Sequence, residues 1–299
     1  MPHPSGARYR VGGIEFAVLN DGVFKYDAGA VFGIVPRVMW ERVVPPLDTQ
    51  HRIELGLNCL LIRSEGRLVL IESGVGGKPG DRDSASPAEE GTLLSALAAL
   101  DVSPADITDV VNTHLHADHC GWNTSGAGTE GDPLRATFPN ATYHLATKEW
   151  EDANHPNERT RATYLERNLA PIADHVRLLD GAGAETPITS EVRFLAAPGH
   201  THGHGVVVLR GGGGGSGGWA LFTGDLAQHR VQLERTPWVS GLDVLPLVSM
   251  ETKKVLMDRA IDEDALVIVA HGAYPGVARM TRTDRGFRQL IDVPPDAEA

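Results

Sequence analysis

Short apolar runs of strand-like length open the chain. They span residues 14–19, 58–62 and 67–71. The last two are separated by Ser64-Glu65-Gly66, a composition typical of a tight turn. We therefore predict that these two runs form a β-hairpin.

The segment 28–46, between the first two runs, is rich in large apolar residues but shows neither the strand period nor the helix period. Such a segment is not expected to bury one regular face. We interpret it as a lid or a dimer-contact segment, with Trp40 as the lid residue.

Helical and strand signals alternate further along the chain. Ser86 and Pro87 suit the start of a helix whose apolar positions would be Leu93, Leu94, Leu97 and Leu100. A second helix is predicted over 157–173. The remaining predicted strands cover residues 107–112, 192–196, 205–209, 219–222 and 266–270.

The run Gly211 to Gly218 contains only glycine apart from Ser216. Such a composition is typical of a flexible interdomain linker. Since it joins two short strand-like runs, we favour a hairpin loop instead. A surface loop without function is the simplest account of it.

Four residues with metal-binding side chains fall within six positions, directly after the predicted strand 107–112. They are His114, His116, Asp118 and His119. Neutral imidazole and carboxylate groups bind zinc and similar ions, so this density predicts a metal site. Its place at the end of a strand is where α/β folds commonly carry chemistry.

Three further candidates lie downstream, each at the end of an apolar run and each beside a glycine. They are His200, Asp225 and His271. Glycine permits the sharp turns that would aim such side chains inward. Any one of them alone would be read as a turn or capping residue.

Together these strings resemble the metallo-β-lactamase superfamily. The resemblance rests on Thr113-His114-Leu115-His116-Ala117-Asp118-His119, Gly199-His200-Thr201, Gly224-Asp225 and His271, in that order. It implies an α/β fold, a four-layer αββα sandwich of two mixed β-sheets flanked by helices. We expect residues 1–299 to form one such domain.

The resemblance also implies the ligand sets of two divalent metal ions. His114, His116 and His200 would hold the first ion, Asp118, His119 and His271 the second, and Asp225 would bridge them. Zinc is the default, while manganese, cobalt and iron accept the same ligands. Glu72 stands where relatives usually have Asp, a departure that concerns how the ligands are oriented.

Longer strings point to one branch of the family. Residues 119–124, 138–141, 149–150 and 199–204 are similar to the N-acyl homoserine lactonase and methyl parathion hydrolase relatives. Lactonases often carry a tyrosine shortly after the bridging aspartate, whereas Leu226-Ala227-Gln228 follow here. The pattern favours a lactonase or esterase. A phosphotriester hydrolase, a thioester hydrolase of the glyoxalase II kind and a noncatalytic metal-stabilised binding protein stay open.

The expected mechanism needs no protein nucleophile, and we find no nucleophile elbow, a Gly-x-Ser-x-Gly turn between a strand and a helix. Water shared by two metal ions would attack the substrate. Asp118 would orient that water and pass a proton to the departing group.

The composition of the chain limits the classes of partner that we expect. The formal net charge is −12 and the Lys and Arg residues are scattered, so nucleic acid is not expected. Only Cys59 and Cys120 are present, which suggests no disulfide framework. With no apolar run long enough for a membrane span and no signal-like start, we expect a cytoplasmic protein that takes a small-molecule substrate. The segment 28–46 makes a homodimer plausible.

Overall fold

A computed structural model describes residues 6–78, 91–180, 183–211 and 218–295. The strands, in chain order, are β1 Ala7–Val11, β2 Ile14–Asp27, β3 Arg52–Ser64, β4 Arg67–Ile71, β5 Asp109–Val111, β6 Thr124–Ser125, β7 Arg135–Ala136, β8 Thr142–Ala146, β9 Val176–Leu179, β10 Thr186–Pro187, β11 Val192–Ala196, β12 Gly205–Arg210, β13 Trp219–Phe222, β14 Leu266–Ile268, β15 Val277–Arg282 and β16 Arg288–Asp292. The α-helices are α1 Ala28–Phe32, α2 Arg37–Trp40, α3 Leu93–Ala98, α4 Ala117–Cys120, α5 Thr147–Asn154, α6 Glu166–Leu169, α7 Arg230–Glu234 and α8 Pro246–Asp262. Short 3₁₀ turns cover Pro104–Asp106, Gly121–Asn123, Ala170–His175 and Gly224–Leu226.

Fourteen of these strands form two seven-stranded mixed sheets. The first has the order β1-β2-β3-β4-β5-β8-β9 and the second the order β10-β11-β12-β13-β14-β15-β16. In the first sheet β4, β5, β8 and β9 run parallel, whereas in the second only β13 and β14 do. Each sheet therefore has a parallel portion, and all the predicted ligands except His200, which follows β11, come after strands of these portions.

The alternation of side chains along the strands builds the layers. On β12, Val207 and Leu209 belong to the core between the sheets, whereas Val206 and Val208 belong to the core under α8. On the outer face of the first sheet, Val110 packs in a third cluster with α3. Since successive strand residues point to opposite faces, each sheet is buried on both sides. The predicted αββα sandwich is confirmed.

Most strands were predicted closely. Residues 67–71, 192–196 and 219–222 match observed strands, and β12 pairs antiparallel with β13, which confirms the hairpin around the glycine run. Residues 212–217 of that run lie outside the described part of the chain. The run 14–19 is the start of a longer strand that continues past an irregularity between Asn20 and Val23. Its last residues are partly exposed, which hides the strand period.

The helix predictions were less accurate. Leu93 and Leu97 are buried on α3 as predicted, but the proposed start at Ser86 lies outside the described residues. The prediction of a helix over 157–173 was wrong in its first half. There the Asn157 side chain accepts hydrogen bonds from the backbone N–H groups of Arg159 and Thr160, which favours a turn. In the described ranges, no helix combines the length and apolar content needed to cross a bilayer.

The segment 28–46 contains two short helices and has an inner and an outer side. Trp40 is 4% exposed and stacks on Phe32 at a centroid distance of 4.9 Å, so it packs on the inner side, and its role as the lid residue stays a prediction. Ile34, Val38 and Met39 are exposed on the other side. The role of this segment as a lid or dimer contact stays a prediction that now rests on the exposed residues.

His229 connects this segment to α7. Its ring lies 5.6 Å from that of Phe32, and its Nδ1 accepts the N–H of Val231 as the helix cap. Burial, followed by the nearby Arg230, lowers the pKa of His229 to about 4. The cap requires the neutral imidazole, because a protonated Nδ1 cannot accept a hydrogen bond.

We expect His229 to make the free energy of unfolding depend on pH. Because its folded pKa lies below the unfolded value, its contribution is complete above about pH 6.5 and is lost as the pH falls towards 4. The difference corresponds to about 3 kcal/mol. His229→Asn keeps a capping side chain without titrating, so urea unfolding should show the wild type losing this amount relative to the variant between pH 7 and 4.

The matched control is His51→Asn, at an exposed site whose positive φ of 60° suits asparagine. This variant should follow the wild type at every pH. Parallel pH profiles for the wild type and His229→Asn would contradict the capping account.

Candidate functional site

The first cluster of candidate ligands follows the C-terminal end of β5, at the carboxyl edge of the parallel strands. The chain leaves β5 at Val111, reaches His116, whose backbone is extended, and then turns into α4. Glu72 fixes the start of this loop by accepting the backbone N–H of Thr113 at 2.9 Å. The rings of His114 and His116 lie on the same side of this loop, 4.5 Å apart, and the turn into α4 brings the His119 ring to 4.1 Å from that of His114.

The other three candidates follow strands of the second sheet. His200 lies beyond β11, Asp225 directly beyond β13, and His271 shortly after β14. Gly224 has a φ of +48°, and a side chain there would meet the Thr113 Oγ1 at 2.6 Å. Glycine is therefore required at this turn, where the second sheet approaches the first.

The structure brings all seven predicted residues to one place between the edges of the two sheets. His200 Nε2 lies 3.0 Å from His116 Nδ1. His119 Nε2 lies 3.2 Å from His271 Nε2, and Asp118 Oδ2 lies 3.7 Å and 3.6 Å from these two nitrogens. Three groups of side chains have ligand atoms within 4.8 Å of one another: His114 with His116 and His200, Asp118 with His119 and His271, and Glu72 with His114 and His119. The first two, the triplets, match the predicted ligand sets.

Asp225 lies between the triplets and turns one oxygen towards each. Its Oδ2 is 3.2 Å from His200 Nε2 and 4.0 Å from His114 Nε2. Its Oδ1 is 3.1 Å from His119 Nε2 and 3.0 Å from His271 Nε2. A carboxylate placed in this way can join two cations through separate oxygens.

The electrostatics suit divalent cations. Burial, followed by neighbouring histidines, lowers the pKa of His114 and His116 well below the usual range, so their rings are neutral and can act as ligands. Burial raises the pKa of Asp225, but His271, His119 and His200 outweigh it and hold the carboxyl ionised. His114 Nε2 is buried without a hydrogen-bond partner among the described residues. Such an orphaned nitrogen, aimed at a carboxylate oxygen, fits a metal ligand.

Groups outside the triplets hold the rings in place. Asp243 accepts a hydrogen bond from His200 Nδ1 at 3.0 Å, and the Gly56 carbonyl accepts one from His271 Nδ1 at 2.8 Å. Glu72 Oε1 lies 3.6 Å from His119 Nδ1. Contacts of this kind fix the tautomer that leaves Nε2 available to a metal. Glu72 therefore lies where it can orient a ligand, as expected of it.

Two other histidines of the 199–204 string have structural contacts. His204 donates from Nδ1 to the Ala197 carbonyl and accepts the Asp225 backbone N–H on Nε2 at 2.9 Å. Burial lowers the pKa of His204 to about 4, which keeps the ring neutral for this double role. His202 pairs with Asp152 at 2.9 Å on the surface. Both rings are therefore held by hydrogen bonds to groups outside the two triplets.

Sequence reasoning missed several residues that shape the site. Asp243 carries no local signal, because its partner His200 is 43 positions away. Asn58 donates to the carbonyls of Val269 and Gly272 and so anchors the turn that carries His271. Glu149 appeared only within a family-like string, although it contacts both metal-binding loops. Tertiary contacts of this kind leave no periodic pattern in a single sequence.

Comparisons with known proteins agree with this arrangement. A probable metallo-hydrolase of Mycobacterium tuberculosis is 26% identical over 281 residues, covering 81% of this chain and 84% of that protein. A probable metal-dependent hydrolase from Staphylococcus aureus has a TM-score of 0.83 at 22% identity, covering 97% of this chain and all of that one. A solved dizinc quorum-quenching lactonase, in complex with a product, has a TM-score of 0.77 at 21% identity, covering 99% and 100%.

The family model described as the metallo-beta-lactamase superfamily matches residues 52–272. That range contains the seven candidate ligands together with Glu72, Glu149 and Asp243. The match, the two mixed sheets and the clustered ligands lead to the same assignment. The chain belongs to the metallo-β-lactamase superfamily and is a metal-dependent hydrolase.

Proposed function

We propose that the protein is a dinuclear hydrolase that opens a lactone or cleaves another carboxylic ester. The observation that carries this proposal is Asp225, whose two oxygens face two separate triplets of ligands. His114, His116 and His200 would hold one cation, and Asp118, His119 and His271 the other. Seven ligands for two ions leave coordination positions for water and substrate.

When bound, a pair of divalent cations supplies an activated water, whose pKa falls to about 7, and polarises the substrate carbonyl. Proton transfer would fall to a residue of the protein. The Asp118 side chain is 27% exposed, against 5% for Asp225, so it faces the solvent-accessible side of the site. From there its carboxylate can accept a proton and return it to the departing alkoxide.

The lactone or ester assignment draws support from one of the structural relatives, which is named as a dizinc lactonase. Lactonases often carry a tyrosine shortly after the bridging aspartate, whereas Leu226, Ala227 and Gln228 follow Asp225 here. The Gln228 Nε2 can donate to Asp225 Oδ2 at 3.4 Å, and it lies 2.9 Å from His200 Nδ1, which itself donates to Asp243. Gln228 thus contacts the ligand Asp225, and polarisation of the carbonyl would be left to the cations.

The test is a comparison of kcat/KM over lactones, aryl esters, thioesters and phosphotriesters with the protein loaded in turn with zinc, manganese, cobalt and iron. We expect two equivalents of bound metal and the highest kcat/KM on a lactone or ester. A clear preference for phosphotriesters or thioesters would replace the substrate class. No turnover of any substrate by the metal-loaded protein would favour a binding protein instead.

We further propose that residues 1–299 form one domain. Support comes from the core between the sheets, to which β2, β3 and β4 contribute together with β11, β12 and β13. The two halves of the chain thus bury one another's apolar faces.

A further inference from the structure

Glu149 is a buried carboxylate on α5 that accepts three hydrogen bonds. Its Oε1 accepts the Leu115 backbone N–H and the Tyr164 hydroxyl, both at 2.9 Å. Its Oε2 accepts the Thr201 hydroxyl at 2.6 Å. The side chain is fully buried, and no Lys or Arg of the described ranges forms an ion pair with it. A carboxylate in such surroundings is costly unless its hydrogen bonds are satisfied.

Each partner of Glu149 adjoins a ligand of the same triplet. Leu115 separates His114 from His116 in the chain, and Thr201 directly follows His200. The Tyr164 ring packs on the His116 ring at a centroid distance of 5.1 Å. One carboxylate therefore connects the loop from the first sheet, the loop from the second sheet and the aromatic ring that contacts His116.

The other triplet is held by different groups. His271 is fixed by the Gly56 carbonyl, and His119 lies beside Glu72. The three hydrogen bonds that Glu149 accepts come from residues that adjoin or contact His114, His116 and His200. Any effect of Glu149 on metal binding should therefore fall first on this triplet.

We propose that Glu149 is a positioning residue that sets the spacing between His200 and the His114–His116 loop, and thereby the metal affinity of this triplet. The inference rests on the proposed dinuclear site. Loss of the carboxylate leaves the Leu115 N–H and the Thr201 hydroxyl without their acceptor. The 3.0 Å approach of His200 Nε2 to His116 Nδ1 is then no longer enforced. Outer contacts of this kind typically contribute about 10–100-fold to metal affinity.

The test is a metal titration of three variants, read by mass spectrometry of bound metal against buffered free metal and by the thermal midpoint of the metal-free protein. Glu149→Leu removes both acceptor oxygens, and with them all three hydrogen bonds, at similar side-chain size. Glu149→Gln keeps one acceptor oxygen. Glu151→Leu, an exposed neighbour on the same helix, is the matched control.

We expect Glu149→Leu to bind one equivalent of metal with wild-type affinity and the second equivalent about 10–100-fold more weakly. Glu149→Gln should lie between it and the wild type, and Glu151→Leu should match the wild type. The inference would be overturned if the affinity for both metal equivalents fell by the same factor, or if both were bound with wild-type affinity. If Glu149→Leu fails to fold, the test rests on Glu149→Gln. Binding of both metal equivalents by Glu149→Gln with wild-type affinity would then overturn the inference. The proposed function fails separately, if the wild type itself binds fewer than two equivalents.

Discussion

Asp118→Asn should lower kcat/KM for the best substrate by about 10²–10⁴-fold, the range that general acid–base groups contribute. Asparagine has the same shape but cannot take up a proton, and it is a weaker ligand than a carboxylate. The Asp118 side chain is part-exposed and lies beside His119 and His271, so the thermal midpoint of the metal-free protein should stay near that of the wild type. Steady-state kinetics and thermal unfolding of the same preparations test both statements.

The matched control is Asp174→Asn, which removes an exposed acid outside the site. It should leave kcat/KM unchanged. If Asp118→Asn turned over substrate at the wild-type rate with both metals bound, the role assigned to Asp118 would be wrong.

Removal of the metals should destabilise the protein strongly. The site concentrates Asp118, Asp225 and Glu72 around buried imidazoles, and cations that bind only the folded protein stabilise it by mass action. At a free concentration a thousandfold above Kd, each cation adds about 4 kcal/mol to the free energy of unfolding. Urea unfolding with excess zinc, compared with unfolding after chelation, should show this difference in midpoint.

His116→Ala provides the comparison. It lacks a ligand of one triplet only, so chelation should lower its urea midpoint by about half as much as it lowers that of the wild type. Its turnover should be abolished. An identical midpoint for loaded and metal-free wild type would count against structural metal binding at this site.

The parts of the site that could be predicted are those encoded locally. His114, His116, Asp118 and His119 lie within one turn of chain, and the glycines beside His200, Asp225 and His271 mark strand ends. Short strands such as 67–71 were recognised because they are buried on both faces and bounded by turn residues. These features need no knowledge of distant contacts.

The parts that could not be predicted depend on tertiary contacts. The chain over 157–165 has helix-compatible residues, yet Asn157 forms a local turn and Tyr164 packs on His116. Trp40 stood in a segment without periodicity and proved to be packed on Phe32. Nothing in the local sequence distinguishes Glu149 and Asp243 from other acidic residues. Only the tertiary fold places them beside His200 and its loop.

The division of ligands between the two sheets has a consequence for biosynthesis. The first sheet delivers His114, His116, Asp118 and His119, and the strands of the second deliver His200, Asp225 and His271. A nascent chain that ends before residue 200 therefore cannot complete either triplet. Tight metal uptake must wait until the second half has folded onto the first, and incompletely synthesised chains would be poor competitors for scarce metal in the cell.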